Sequence, residues 1–153
     1  MRPVAILLLC AVISTGCQTA EDKERAAFRE RLREAAPLSQ AEVSRLIAEA
    51  VRAIGGRQLI VQELGGTREL PPEARTEVLS VLTSGVSVAD VGLKQEGGQI
   101  FRGLNGPGTP ARSELDATRT LWIDIRSLLP RRYEFAYSLP GYGDYAYDLK
   151  FEP

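Results

Sequence analysis

The sequence predicts an α+β domain in which N-terminal helices pack on a C-terminal antiparallel sheet. Two patterns indicate this fold class. Apolar residues recur about every 3.6 residues in the first half of the chain, and they alternate with polar residues from about residue 86 onward. A block of helices followed by a block of strands is typical of α+β proteins. We expect a single domain over residues 38–153, with a meander of about five strands.

The clearest predicted helix covers residues 39–54. Ser39 and Glu42 are spaced as in a capping box, in which each side chain accepts a hydrogen bond from the backbone N–H of the other residue. Gly55 and Gly56 favour its end. The apolar stripe that we expect to face the core consists of Val43, Leu46, Ile47, Ala50, Val51 and Ile54.

Two further segments precede the predicted sheet. Residues 58–64 fit either a buried strand or a short helix, because periodicity cannot separate the two over such a short length. Pro71 and Pro72 favour the start of another helix, which is expected to end at Gly85.

Residues 17–37 are predicted to form a charged helical tether in front of the domain. Glu21 and Arg25 are four residues apart, as are Phe28 and Leu32, and this spacing makes each pair neighbours on a helix face. The apolar stripe is thin, so we expect a spacer that docks loosely on the domain or stands away as a stalk. A helix that binds a specific partner is the alternative.

The second half of the chain is predicted to form the sheet. A strand beginning near Val86 and a return strand over residues 100–104 flank a hairpin turn at residues 96–99. Residues 105–110 are a loop by composition, which we interpret as a plain connector. Three alternating runs follow, at residues 119–126, 132–138 and 144–152.

Alternation assigns one face of these three strands to the core and leaves the other outside it. The core face is expected to pack against the helix over residues 39–54, and it carries Leu121, Ile123, Ile125, Tyr133, Phe135, Tyr137, Tyr145, Tyr147, Leu149 and Phe151. The opposite face carries Trp122, Asp124, Arg126, Glu134, Ala136, Ser138, Ala146, Asp148, Lys150 and Glu152.

This opposite face is the candidate binding site. Trp122 offers an apolar platform, and Asp124, Glu134 and Asp148 are neighbouring carboxylates that could bind a cation or act as acid and base. The simpler interpretation is a solvated face whose charges offset one another. In the next turn, Tyr142 could contact a sugar or a protein, or it could fold back over the core.

Composition narrows the functions that the domain can have. The chain has no histidine, and both cysteines lie within the first 17 residues, which excludes Ser-His-Asp and Cys-His catalysis and the usual zinc sites from the folded domain. We expect no cofactor, no bound metal and no catalytic set, although enzymes built on carboxylates are still allowed. Twenty acidic residues against 19 basic ones give no electrostatic basis for nucleic-acid binding.

The first 17 residues have the features of a secretory signal in the usual order. Arg2 supplies a positive charge, residues 4–13 form an apolar run shorter than the roughly 20 residues that span a bilayer, and small residues at positions 14–16 precede Cys17. Residues 13–17 resemble the lipobox of bacterial lipoproteins. The resemblance implies cleavage after residue 16 and lipid attachment to Cys17. The alternative is an ordinary secretory signal with an incidental cysteine.

Together these features predict a non-enzymatic lipoprotein, held in a membrane by lipid on Cys17, whose domain binds another envelope component, with a protein as the favoured partner. Gln18 follows Cys17 where enterobacterial lipoproteins retained at the inner membrane have Asp. The resemblance therefore implies the outer membrane, facing the periplasm, if the source has two membranes. The alternatives are an immunity protein for an interbacterial toxin and an envelope hydrolase built on carboxylates such as Asp124 and Asp148.

Overall fold

A computed structural model describes residues 19–83, 87–107 and 116–152. The predicted signal peptide and Cys17 lie outside these residues, as do Gly85, Val86 and positions 108–110 of the predicted loop. The described elements are, in chain order, α1 (Ala20–Arg31), α2 (Gln40–Ile54), β1 (Ile60–Glu63), β2 (Gly66–Glu69), α3 (Pro72–Thr83), β3 (Ala89–Glu96), β4 (Gln99–Pro107), β5 (Asp116–Asp124), β6 (Pro130–Leu139) and β7 (Gly143–Phe151).

The described strands form one sheet in the order β2-β1-β7-β6-β5-β4-β3, and every described pairing is antiparallel. Strands β3 to β7 are a meander, and the hairpin of β1 and β2 extends it where Val61 pairs with Phe151. The α+β class is confirmed. The predicted count of about five strands is not exact for the sheet: the meander β3 to β7 has five, but seven strands are described, and two of them come from the first half of the chain.

Helix α2 forms as its sequence predicts. The Ser39 hydroxyl accepts a hydrogen bond from the Glu42 N–H at 3.3 Å, and the Glu42 carboxylate accepts one from the Ser39 N–H at 2.7 Å, which confirms the capping box. Gly55 follows the helix with a φ of +48°, a conformation that glycine adopts without strain. The predicted apolar stripe is buried at Val43, Leu46, Ala50 and Ile54, but Val51 is exposed.

Helix α1 docks on the domain through its last turn. Phe28 and Leu32 are buried in the same hydrophobic core as the buried face of α2, and the Arg45 guanidinium lies 4.3 Å from the centre of the Phe28 ring. Burial of two large apolar side chains stabilises the docked position by roughly 3–6 kcal/mol. The predicted spacer therefore packs on the domain at residues 28–32 instead of standing away as a stalk.

The core lies between the three helices and one face of the sheet. The predicted core face is buried at Leu121, Ile123, Ile125, Tyr133, Phe135 and Phe151, and Tyr137 and Leu149 pack at its margin. Tyr145, which was predicted to be buried, is exposed because the core thins towards the β6–β7 turn. Strand β5 ends at Asp124, two residues before the predicted end, and Ile125 begins the following turn.

The first hairpin of the meander turns where the sequence predicts. Gly97 and Gly98 join β3 to β4 with φ values of +58° and +76°, which other L-residues rarely adopt. Residues 105–107, which were predicted to be a loop, continue β4 and pair with β5 instead. Helix α3 begins at the predicted prolines.

A buried arginine fixes the connection between α1 and α2 to the sheet. Arg102 of β4 is fully buried, and its guanidinium forms an ion pair with Asp90 of β3. It also donates hydrogen bonds to the backbone carbonyls of Leu32, Glu34 and Ala36, the last two at 2.6 and 2.8 Å. We call this the Arg102 cluster. It combines a buried ion pair with hydrogen bonds to three backbone carbonyls of the segment that follows α1.

Candidate functional site

The face of the sheet that points away from the helices, here called the outer face, carries the candidate site. Strand register sets Gly103 of β4, Trp122 of β5, Arg132 of β6 and Lys150 of β7 in one row across the sheet. None of the described helices packs on this row, because the buried faces of all three contribute to the core on the other side.

Gly103 makes room for the indole ring of Trp122. A Cβ at position 103 would lie 2.8 Å from Cζ3 of Trp122 and 2.5 Å from Cγ2 of Val91, closer than carbon atoms approach. The ring therefore lies across β4, and the ammonium of Lys94 sits 5.1 Å from its centre, within the range of a cation–π contact. Trp122 is half-buried by these neighbours in β3 and β4.

Glu134 lies beside this ring and is held in its ionised form. Its carboxylate is 2.9 Å from Lys94 Nζ and 2.9 Å from Arg132 Nε. Burial raises the pKa of Glu134, but the nearby indole N–H of Trp122 and the charges of Lys94 and Arg132 outweigh this effect, and the pKa lies below its ordinary value.

The other carboxylates of the outer face are paired in the same way. Arg132 contacts Asp148 at 2.8 Å and Glu96 at 3.1 Å, and Lys150 contacts Glu96 at 3.2 Å. The pKa of Glu96 is lowered by its hydrogen bond to Lys150 and by the charges around it. Four cations and four carboxylates of this region therefore balance among the described residues: Lys94, Arg131, Arg132 and Lys150 against Glu96, Asp124, Glu134 and Asp148.

A cleft of about 270 Å³ opens beside Trp122 at the end of the sheet where β6 begins. Phe101 and Trp122 form its apolar walls, Gln62 and Gln99 contribute carboxamides, and Arg131 lines it from the start of β6. We call this space the Trp122 cleft.

Arg131 is the unusual residue of this cleft. Its side chain is only 10% exposed, and its described ion pair joins Nη2 to Oδ2 of Asp124 at 3.8 Å, which is longer than a hydrogen bond. Nε and Nη1 are buried and form no hydrogen bond with any residue in the part of the chain that the structure describes. Buried charged donors are normally hydrogen-bonded. The Arg131 guanidinium departs from this rule among the described residues.

The indole N–H of Trp122 is also buried and short of an acceptor. It lies near enough to Glu134 to lower the pKa of that carboxyl, yet it completes no hydrogen bond with a described residue. Among the described residues that line the cleft, the buried side-chain atoms that lack a hydrogen bond are therefore all donors.

The structure brings three of the predicted site residues together and separates two. Trp122, Glu134 and Asp148 share the outer face, as predicted. Asp124 does not present a free carboxylate there, because it is 94% buried and accepts hydrogen bonds from the Arg126 N–H and the Ser127 hydroxyl, both at 2.9 Å. It stabilises the turn after β5.

Tyr142 lies at the other end of the sheet. It is 82% exposed in the turn between β6 and β7, whereas Arg131 stands at the start of β6. Its side chain does not fold over the core, and Tyr145 beyond it stacks on Tyr137 with ring centres 5.2 Å apart. A strand of ten residues spans roughly 30 Å, so Tyr142 belongs to a different surface from the Trp122 cleft.

Three residues that shape the site were not singled out from the sequence. Arg131 falls between the predicted strands 119–126 and 132–138, and Lys94 and Gly103 lie on either side of the predicted hairpin turn at residues 96–99. A glycine within a strand often marks a close approach by another group, and this was the one signal available for Gly103.

Comparison with known proteins found no matching family model and no significant match to a curated protein or a solved structure. No helix in the described ranges is both long and apolar enough to cross a membrane. The carboxylates described above do not gather into a metal site, and no such group occurs elsewhere in residues 19–83, 87–107 and 116–152.

Proposed function

We propose that the protein is a lipid-anchored component of a bacterial cell envelope whose domain binds another envelope component at the outer face of its sheet, without catalysing a reaction. The observation that carries this proposal is the Trp122 cleft, where an aromatic wall adjoins buried donors that lack acceptors. Aromatic rings and arginines dominate the energetics of many binding surfaces.

The anchor is supported by the resemblance of residues 13–17 to a lipobox. Helix α1 begins at Ala20, three residues after Cys17, and its last turn is part of the core. Lipid on Cys17 would therefore hold the domain close to the membrane surface. In a cell with two membranes, the expected place is the periplasmic side of the outer membrane.

Binding is supported over catalysis by the state of the carboxylates. The pKa of Glu134 lies below its ordinary value, so its carboxyl holds no proton to donate near neutral pH. Asp124 is committed to a turn. The pair that a carboxylate hydrolase would need, Asp124 and Asp148, therefore receives no support from the geometry.

The anchor is tested by fractionation of cells that express Cys17→Ala. We expect this variant in the soluble fraction and the wild type in the membrane fraction. Cys10→Ala is the matched control, because Cys10 lies inside the predicted signal, and it should stay with the membrane. A Cys17→Ala protein that is processed but remains membrane-bound would contradict the anchor.

The binding face is tested by a photo-crosslinking amino acid placed in living cells at Gln99, an exposed residue at the rim of the cleft, or at Arg52, an exposed residue of α2. We expect a discrete adduct from position 99, lost on Trp122→Ala, and none from position 52. Equal adducts from both positions, or none from position 99, would argue against the outer face.

A further inference from the structure

We infer that the Trp122 cleft receives the free carboxylate at the end of a peptide chain, with Arg131 as the residue that holds it. This inference rests on the proposed function, because it names the chemistry of the ligand for the same face. It follows from the donors, the charges and the size of the cleft.

The donors require a ligand that supplies acceptors. Nε and Nη1 of Arg131 are buried without hydrogen bonds to described residues. A guanidinium has two edges that can hold a carboxylate through two parallel N–H groups, and each edge includes one of these two Arg131 nitrogens. A carboxylate therefore supplies the acceptors that the Arg131 guanidinium lacks.

Arg131 can reach such a ligand without breaking a hydrogen bond. Its described tie is the 3.8 Å approach to Asp124, beyond hydrogen-bond length. Arg131 lines the cleft, and its Nε and Nη1 are buried, so the inference requires the guanidinium to turn towards the ligand as it binds. The bonds gained replace none that the described residues supply.

The charges favour a single negative charge. The charges of the four cations around the cleft are balanced by those of four nearby carboxylates. A phosphate would bring close to two negative charges into a region without net positive charge, whereas a carboxylate brings one. The cleft is therefore better suited to a carboxylate.

The walls and the size favour a chain end over a larger molecule. The volume of about 270 Å³ lies at the small end of ligand pockets, which begin near roughly 300 Å³. Phe101 and Trp122 offer an apolar surface to the last side chain, and the carboxamides of Gln62 and Gln99 can donate to and accept from a peptide unit.

The test uses Trp122 as its own reporter, because it is the only tryptophan of the chain. The full-length protein in detergent is titrated with N-acetyl-alanyl-leucine, with the same dipeptide as its C-terminal amide, with acetate and with inorganic phosphate. We expect a saturable change in Trp122 fluorescence with the free dipeptide, and binding weaker by at least about tenfold for the other three probes.

Variants locate the site. Arg131→Met should abolish the response to the dipeptide, and Arg131→Lys, which keeps the charge but lacks the planar guanidinium, should weaken it by about tenfold. Arg126→Met is the matched control, because Arg126 is exposed in the turn that precedes Arg131, and it should bind as the wild type does. The ¹⁵N resonance of Arg131 Nε should shift on binding as a second readout.

Four outcomes would overturn the inference. If the amide binds as tightly as the free dipeptide, the carboxylate is not what the cleft recognises. If acetate binds as tightly, the peptide part contributes nothing, and if phosphate binds more tightly, the ligand is a phosphate and not a carboxylate. No binding by any probe would also reject it. The crosslink from position 99 is measured separately. If it forms although no probe binds as expected, the proposed binding face is supported and only the carboxylate ligand is rejected.

Discussion

Two buried arginines of the same sheet, Arg102 and Arg131, differ in how their charge is satisfied. Arg102 faces the helices, where Asp90 and three backbone carbonyls surround its guanidinium. Arg131 lines a cleft at the end of the sheet, where the nearest carboxylate oxygen is 3.8 Å away and two nitrogens have no described partner. A buried guanidinium whose N–H groups all have acceptors can hold parts of a fold together. One whose N–H groups lack acceptors within the fold can donate them to a ligand.

The largest expected effect comes from breaking the complete cluster. Arg102→Met should lower the free energy of unfolding by about 3–5 kcal/mol, because it leaves Asp90 as a buried charge without its cation. Urea denaturation followed by far-UV circular dichroism measures this loss. The control is Arg33→Met, which removes a half-exposed arginine paired with Glu30 and should cost less than about 1 kcal/mol. Similar losses for both variants would mean that the Arg102 cluster contributes no more than a surface pair.

A smaller effect is expected on the cleft side, where Gly103 accommodates Trp122. Gly103→Ala should destabilise the protein by about 1–3 kcal/mol, because its Cβ collides with Val91 and the indole ring. Gly106→Ala is the control in the same strand, since its Cβ meets Val81 no closer than 3.4 Å. The free energy of unfolding and the emission maximum of Trp122 should change for the first variant and stay near the wild type for the second. An unchanged emission maximum in Gly103→Ala would reject the position assigned to the ring.

Acid should weaken the complete cluster more gradually. Burial raises the pKa of Asp90, but the Arg102 guanidinium and the N–H groups of Leu38 and Gly92 lower it further, so the native pKa lies below the ordinary value. A lowered carboxyl pKa contributes stability that is present above the unfolded value near pH 4 and is lost as the pH falls through the native value.

The dependence of the urea midpoint on pH, measured from about pH 7 down to about pH 2, tests this sign. Asp90→Asn should be less stable than the wild type at neutral pH, and its stability should fall less steeply in acid because it lacks the titrating group. Glu21→Gln, an exposed substitution on α1, is the matched surface control. An acid transition in Asp90→Asn as steep as that of the wild type would assign the pH dependence to other carboxyls.

The contrast between the two arginines also marks where sequence patterns stop being informative. The capping box of α2 and the alternation of the meander depend on neighbours within a few residues, so the helix, the strands and the position of Trp122 on the outer face could be predicted. Strands β1 and β2 have four residues each, too few for a period to show. Their presence in the sheet depends on β7, more than 80 positions further along the chain.

The environments of the two buried arginines could not be predicted from the sequence for a different reason. Whether an arginine in a strand is solvated, paired or left short depends on groups that only the tertiary fold brings near it. Asp90 is 12 residues from Arg102, and the carbonyls that complete the cluster are 66 to 70 residues away. Among the described residues Arg131 has no comparable set of partners. A sequence pattern gives no sign of such an absence.

The smallest expected change in stability is also the most informative. Arg131→Met should leave the free energy of unfolding within about 1 kcal/mol of the wild type, or raise it slightly, because it replaces buried donors that lack described hydrogen bonds by an apolar side chain of similar length. Asp124, 3.8 Å away, keeps its hydrogen bonds from the Arg126 N–H and the Ser127 hydroxyl. The same variant should lose the fluorescence response to the dipeptide. Loss of binding without loss of stability is the result that separates Arg131 from Arg102. If Arg131→Met instead unfolds as easily as Arg102→Met, both arginines are structural, and the cleft has no residue reserved for a ligand.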